Sequence, residues 1–248
     1  MKKKIIKSIL LTAVAAAFAV ILSHLLTFHS KDYIAESVST GKKQIAFTFD
    51  DGPGEYTAQL LEGLRERDAK ASFFLLGCHA EQYPELVEAA YADGHLIGNH
   101  TYSHINMRKS SKDEVQEQLD KTDAVIEEIT GEKPKFVRPP YGAFSGLTLE
   151  RIDKIAVIWS MCPKDWEHED DEEYICNYIV EHARDGQIVL LHDPLPATVP
   201  AVLKAMDILK EEGYEFVRAD ELLCRGGKKL SAGLGYRYCG SDGIIYWF

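Results

Sequence analysis

Short apolar runs alternate with amphipathic stretches over about 180 residues of this chain. Seven of the runs read as strands: Gln44–Phe49, Ala71–Leu76, His95–Gly98, Lys135–Arg138, Ile155–Ser160, Gln187–Leu191 and Tyr214–Arg218. Helical patterns fall between them near Thr57–Arg67, Pro84–Ala92, Ser110–Thr130, Asp171–Arg184 and Thr198–Glu212. The clearest is Ser110–Thr130. It opens on Ser-Ser-Lys-Asp-Glu, repeats apolar residues at Val115, Leu119, Val125, Ile126 and Ile129, and stops at Gly131. Gly94, Gly186 and Gly213 supply further stops. Strand–helix alternation of this kind predicts an α/β architecture with parallel strands. About seven units favour a barrel over an open sheet.

The first 28 residues follow a different pattern. Lys2, Lys3, Lys4 and Lys7 precede an apolar run from Ile9 to Phe28, broken only by Thr12, Ser23, His24 and Thr27. About 20 apolar residues suffice to span a bilayer. Ala15–Ala17 lies too early to be a comfortable cleavage site, and no small-x-small site follows Phe28. Residues 1–28 are therefore expected to be an uncleaved membrane segment, with the lysines inside and the body outside the cytoplasm. Cleavage and secretion are the alternative. Residues 29–43 read as a polar linker, 44–225 as the main domain, and the Gly- and aromatic-rich 226–248 as a tail, a short hairpin packed on the barrel.

Composition narrows the choice of partners. The 248 residues are 46% apolar and 27% charged, which excludes collagen, low-complexity disorder and a polytopic membrane protein. The net charge is −11, and it falls to −15 once the four leading lysines are set aside. Such a body repels polyphosphate, so no nucleic-acid partner is expected. The five cysteines, Cys78, Cys162, Cys176, Cys224 and Cys239, include no CxxC pair, so a zinc ribbon is not indicated. No protein partner is inferred.

Polar outliers collect at strand ends. Asp50 and Asp51 follow the first strand, His100 and His104 the third, Asp165 the fifth and His192 the sixth, while Arg138 closes the fourth. In a parallel barrel these positions share the C-terminal face, where active sites are built. A core needs no charges there, so the convergence points to an enzyme. On a helical turn His100 and His104 would share a face and reach one metal, with a carboxylate as third ligand. Neighbours in a strand point to opposite sides, so Asp50 and Asp51 should do different jobs: one can bind metal and the other serve as a general base. His79, His95, His168 and His182 read as surface or structural. Asp165–Glu173 holds seven acids in nine residues, and its later part suits a solvated helix N-terminus.

In order, the pieces are Thr48-Phe49-Asp50-Asp51-Gly52-Pro53, His100-Thr101-Tyr102-Ser103-His104, Arg138-Pro139-Pro140-Tyr141-Gly142, Asp165-Trp166 and Leu190-Leu191-His192. Over residues 42–225 this ensemble resembles the polysaccharide deacetylase family, the NodB-homology domain of carbohydrate esterases. The resemblance implies a distorted (β/α) barrel that removes acetyl groups from sugars with a divalent metal, zinc first, with cobalt, manganese or nickel as alternatives. It implies Asp50 as general base and Asp51, His100 and His104 as metal ligands. Arg138 would hold and tune Asp50, the Tyr141 N–H would help form the oxyanion hole, and His192 would be the general acid oriented by Asp165. Trp166, Leu190 and Pro139 would line the substrate pocket. One position departs: where the family commonly has Asp-x-x-Asp-Trp, this chain has Cys162-Pro163-Lys164-Asp165-Trp166. The expected substrate is an acetylated amino-sugar polymer, peptidoglycan or a chitin-like glycan. The alternatives are an O-acetyl esterase on xylan-like glycan and a catalytically silent glycan-binding protein.

Overall fold

The computed structural model describes residues 32–35, 41–145, 149, 151–239 and 245–247. By its contacts the chain divides into two units, Met1–Asp32 and Tyr33–Phe248, and every element named here belongs to the second. The apolar Met1–Phe28 segment lies outside the described residues, among which no helix is long and apolar enough to cross a membrane.

All seven expected strands form: β1 Lys43–Asp50, β2 Ser72–Leu75, β3 Leu96–Asn99, β4 Phe136–Val137, β5 Ile155–Val157, β6 Ile188–His192 and β7 Tyr214–Phe216. They pair in parallel in the order β5-β4-β3-β2-β1-β6, with β7 beside the first residues of β1. Beyond β5 the chain runs on to Met161, which bridges in parallel to Val189 of β6. The sheet thereby curls round on itself as a distorted barrel. At the C-terminal end Gly235–Cys239 and Ile245–Trp247 pair antiparallel, and the former lies parallel to β5.

Pleating sorts the side chains of β1 into two layers. Ile45, Phe47 and Phe49 join the cluster that packs the strands against the helices, with Leu60, Leu64, Val202 and Met206. Ala46 points the other way, into a second cluster with Phe74, Phe136, Val157 and Ile188. Thr48 and Asp50 share that inner side, and both are buried. An acid at the end of an otherwise apolar strand is thus delivered into the lumen by register alone.

Five helices follow the predicted pattern: α1 Thr57–Glu66, α3 Pro84–Ala92, α4 Lys112–Thr130, α5 Glu172–His182 and α6 Thr198–Glu211. The Ser111 side chain caps α4 by accepting from the Glu114 N–H, a contact worth about 1 kcal/mol, and Gly131 ends it at φ 78°. Two short helices, α2 Gly77–Gln82 and α7 Ala219–Leu223, were not expected, because five or six residues are too few to show a period.

A buried polar network locks the end of β3 to α4. Asn99 donates to Asp123 Oδ1 at 2.7 Å and accepts from the Thr101 N–H at 2.8 Å. Lys154 Nζ meets Asp123 Oδ2 at 2.7 Å and the Pro134 carbonyl at 2.6 Å. The Asp123→Ala variant would leave the Lys154 charge buried without its partner. It is expected to lower unfolding stability by about 3–5 kcal/mol, read by urea denaturation.

Candidate active site

The strand ends converge as expected. A cavity of about 470 Å³ at the C-terminal end of the barrel is lined by Asp50, Asp51, His100, His104, Tyr141, Trp159, Trp166, Leu190, His192, Pro194 and Leu195. Arg138 and Asp165 do not line it. They lie behind Asp50 and His192 with no exposed surface. Pro139 is buried and is absent from the lining, contrary to expectation, because the chain turns after Arg138 and presents Tyr141 instead. Trp159, Pro194 and Leu195 were not singled out in the sequence. Trp159, a large aromatic just past β5, carried a signal in its strand-end position.

Arg138 anchors Asp50. Its Nη1 donates to Asp50 Oδ1 at 2.8 Å and to Thr48 Oγ1 at 2.6 Å, and its Nε donates to the Val157 carbonyl at 3.0 Å. Burial pushes the Asp50 carboxyl above its ordinary value, against the pull of the Arg138 charge. Such a carboxylate is basic for its kind and fixed in direction. Cys162 is half-buried, and burial pushes its thiol up to about 11, so this side chain is a neutral neighbour. Asp50 is the one carboxylate hydrogen-bonded to Arg138 among the described residues, and Arg138 Nη2 has no acceptor among them.

Asp51, His100 and His104 bring one ligand atom each within 4.8 Å of one another. His100 Nε2 and His104 Nε2 each stand 3.4 Å from Asp51 Oδ1. The two histidines do not share a helical face, as their spacing suggested. They sit on a loop in which Thr101 and His104 both take positive φ, 67° and 59°, and the folded loop rather than a helix brings the rings to 5.1 Å. His100 Nδ1 donates to the Arg138 carbonyl at 2.6 Å, and burial pulls the ring down to about 3, so the neutral tautomer turns a lone pair on Nε2 toward Asp51. Asp51 Oδ1 is buried without a hydrogen-bond donor. A carboxylate oxygen, a neutral buried imidazole and a second imidazole facing one point fit a divalent cation, whose charge would satisfy all three.

Across the cavity His192 Nδ1 meets Asp165 Oδ1 at 2.9 Å. Asp165 Oδ2 accepts from the His192 N–H at 2.7 Å and from Thr198 Oγ1 at 2.8 Å. Burial alone would lower the His192 pKa, but the hydrogen bond and charge of Asp165 outweigh it and raise the ring to about 9. His192 is therefore a proton donor at neutral pH. The Trp166 ring stands edge-on to it at 5.2 Å. On the opposite rim Tyr141, at φ 60°, is 66% exposed and packs its ring against His104 at 4.5 Å.

A buried carboxylate and a protonated imidazole facing one pocket, beside a ligand set that fits a cation, are the groups needed by a hydrolytic reaction that must both take and give a proton. Residues 37–157 match the polysaccharide deacetylase family. The chain is 36% identical over 215 residues to the peptidoglycan-N-acetylglucosamine deacetylase PgdA of Listeria monocytogenes, an alignment that covers 84% of this chain and 45% of that protein. It thus spans about half the length of that relative. It is also 36% identical over 200 residues to a peptidoglycan-N-acetylglucosamine deacetylase of Bacillus cereus, covering 77% of this chain and 93% of that one. Among solved structures it is similar to a family 4 acetyl xylan esterase from Clostridium thermocellum in complex with a cobalt ion, at 34% identity and a TM-score of 0.69 over 73% of this chain and 90% of that one. The chain belongs to the polysaccharide deacetylase family.

The His192–Asp165 pair gives a direct expectation. NMR titration should find the His192 ring protonated up to about pH 9. Asp165→Asn removes the countercharge that holds the proton and should lower that midpoint by about 1–3 pH units.

Proposed function

We propose that the protein is a metal-dependent deacetylase that hydrolyses N-acetyl groups on an amino-sugar polymer of the peptidoglycan type. The observation that carries this reading is the placement of Asp50, His192 and the Asp51–His100–His104 set around one cavity. The deacetylases of Listeria monocytogenes and Bacillus cereus, named for peptidoglycan, support the choice of substrate.

A divalent metal held by Asp51, His100 and His104 would acidify water and polarise the acetyl carbonyl. The remaining work falls to the protein. Asp50, steadied by Arg138, accepts the proton of the attacking water. The backbone N–H of Tyr141 donates to the developing oxyanion, a contribution of roughly 3–4 kcal/mol in comparable sites. His192, protonated at neutral pH, gives its proton to the amine, which cannot depart as an anion. Trp166 and Leu190 flank the space left for the acetyl methyl group. Hydrolysis then yields acetate and a free amine on the sugar.

A second reading, O-deacetylation of a xylan-like glycan, draws support from the likeness to the acetyl xylan esterase. The two separate on products. Acetate with an equal amount of new amine from peptidoglycan fits the first reading; acetate without amine, from acetyl-xylan, fits the second. As to location, the Lys-rich and apolar residues 1–28 support an extracytoplasmic enzyme anchored to the membrane, or a secreted one if the segment is removed. N-terminal sequencing of the protein from its host decides between them.

Removal of metal by a chelator should abolish acetate release, and zinc or cobalt should restore it. Asp50→Asn should cost about 10²–10⁴-fold in kcat with metal content unchanged. Asp51→Asn should instead weaken metal binding, read by metal analysis after dialysis. Equal metal loss in both variants would overturn the assignment of Asp50 as base.

A further inference from the structure

We infer that Asp193 and Thr57, with His79 on the opposite side, clamp the Asp50–Gly54 turn in the conformation that aims Asp51 at His100 and His104, and so act as positioning residues for metal binding. The inference rests on the metal site proposed above and assigns work to three side chains outside the pocket lining.

The turn needs holding. Asp51 takes φ 67°, a left-handed conformation that costs a residue with a side chain about 1–2 kcal/mol. Left to itself the turn would relax and swing the carboxylate away from the two imidazoles. Several of its backbone groups are pinned. His79 Nδ1–H donates to the Asp51 carbonyl at 2.7 Å, and the Leu76 N–H donates to the Gly52 carbonyl at 3.2 Å. The Gly54 N–H donates to Thr57 Oγ1 at 2.7 Å, and Thr57 spends its one hydroxyl proton on Asp193 Oδ2.

Asp193 also works by bulk. A Cβ placed on Gly52 would lie 2.4 Å from Asp193 Oδ1 and 2.8 Å from Oδ2, and one on Gly54 would lie 2.9 Å from Pro194 Cβ. The Asp193–Pro194 segment is thus pressed flat against the turn, which has room there only for glycine. Asp193 has no exposed surface and does not line the cavity, so it touches no substrate. A buried carboxylate is costly, and an apolar side chain of like volume would serve packing alone as well. What an apolar side chain cannot do is accept from Thr57 and orient its hydroxyl toward the Gly54 N–H. Because Asp193 follows His192 directly, the clamp also ties the strand end that carries the acid to the turn that carries the metal ligand.

The test measures zinc dissociation by competition with a chromogenic chelator, together with the thermal midpoint of the metal-free protein. Thr57→Val, which keeps the volume and removes the hydroxyl, is expected to weaken zinc binding roughly ten- to a hundredfold. Asp193→Asn and His79→Leu should act in the same direction. Thr57→Ser restores the hydroxyl and should restore the affinity, which a role in packing alone would not do. With zinc at saturation, kcat should recover more of its value than the affinity does. Folded Thr57→Val, Asp193→Asn and His79→Leu variants that bind zinc as tightly as the wild type would overturn the clamp. A wild-type protein that takes up no zinc or cobalt would overturn the proposed function, and the clamp with it.

Discussion

A guanidinium with no exposed surface must find its partners inside the fold, and Arg138 draws on four other strands of the barrel. It follows β4 directly. Its side chain reaches Asp50 and Thr48 on β1 and the Val157 carbonyl on β5, and its ring-facing side lies 4.3 Å from Phe74 on β2. Its backbone N–H donates to the Asn99 carbonyl on β3, and its own carbonyl accepts from His100. Placing a charge in the lumen is expensive, and that expense is offset only when these partners stand where they do. The guanidinium therefore ties the curl of the sheet to the direction of the Asp50 carboxylate, while the backbone of the same residue sets the tautomer of His100.

Backbone strain is distributed with the same economy. Six residues other than glycine have positive φ among those described, and five of them, Asp51, Thr101, His104, Tyr141 and Lys164, lie in the loops at the catalytic end. Each such conformation costs on the order of 1–3 kcal/mol and persists only where its surroundings over-determine it. Here the surroundings are rigid: strand ends, the Asn99–Asp123–Lys154 network and the hydrogen-bonded Thr57–Asp193 pair. The scaffold thus holds the ligand-bearing loops in a geometry that they would not choose alone, and so prepays reorganisation that a looser site would incur on binding.

Much of this was legible in the chain. Apolar runs marked all seven barrel strands, because a strand covered by helices buries most of its side chains. Charged residues at their ends then stood out against that background, and Asp50, Asp51, His100, His104, Arg138, Asp165 and His192 come together as expected. What escaped was local geometry. The spacing of His100 and His104 is the same on a helix and on this loop, and nothing in Thr101 announces a φ of 67°. His79 read as a bystander because its partner is a backbone carbonyl, which leaves no trace in a side-chain pattern. Thr198 and Thr57 were silent for a like reason: a threonine at the start of a helix is ordinary, and only the fold shows which acid its hydroxyl faces. Pro139 was placed in the pocket by analogy, whereas the turn at Tyr141 moves it beneath the surface.

The barrel is joined shut at one narrow seam. Between β5 and β6 the contact is a bridge at Met161 and Val189, with the Ser160, Met161 and Leu190 N–H groups supplying the hydrogen bonds. The strip that makes this join also carries Trp159 and runs on to Asp165 and Trp166. Ladders elsewhere range from the single Asn99–Val137 pair between β3 and β4 to the five-residue register between β1 and β6. Fluctuations of a closed sheet concentrate where the fewest bonds hold it. At the seam such a fluctuation changes the width of the cleft on its Trp159–Trp166 wall. The cleft thus has a compliant wall at the seam, the one that carries the two tryptophans.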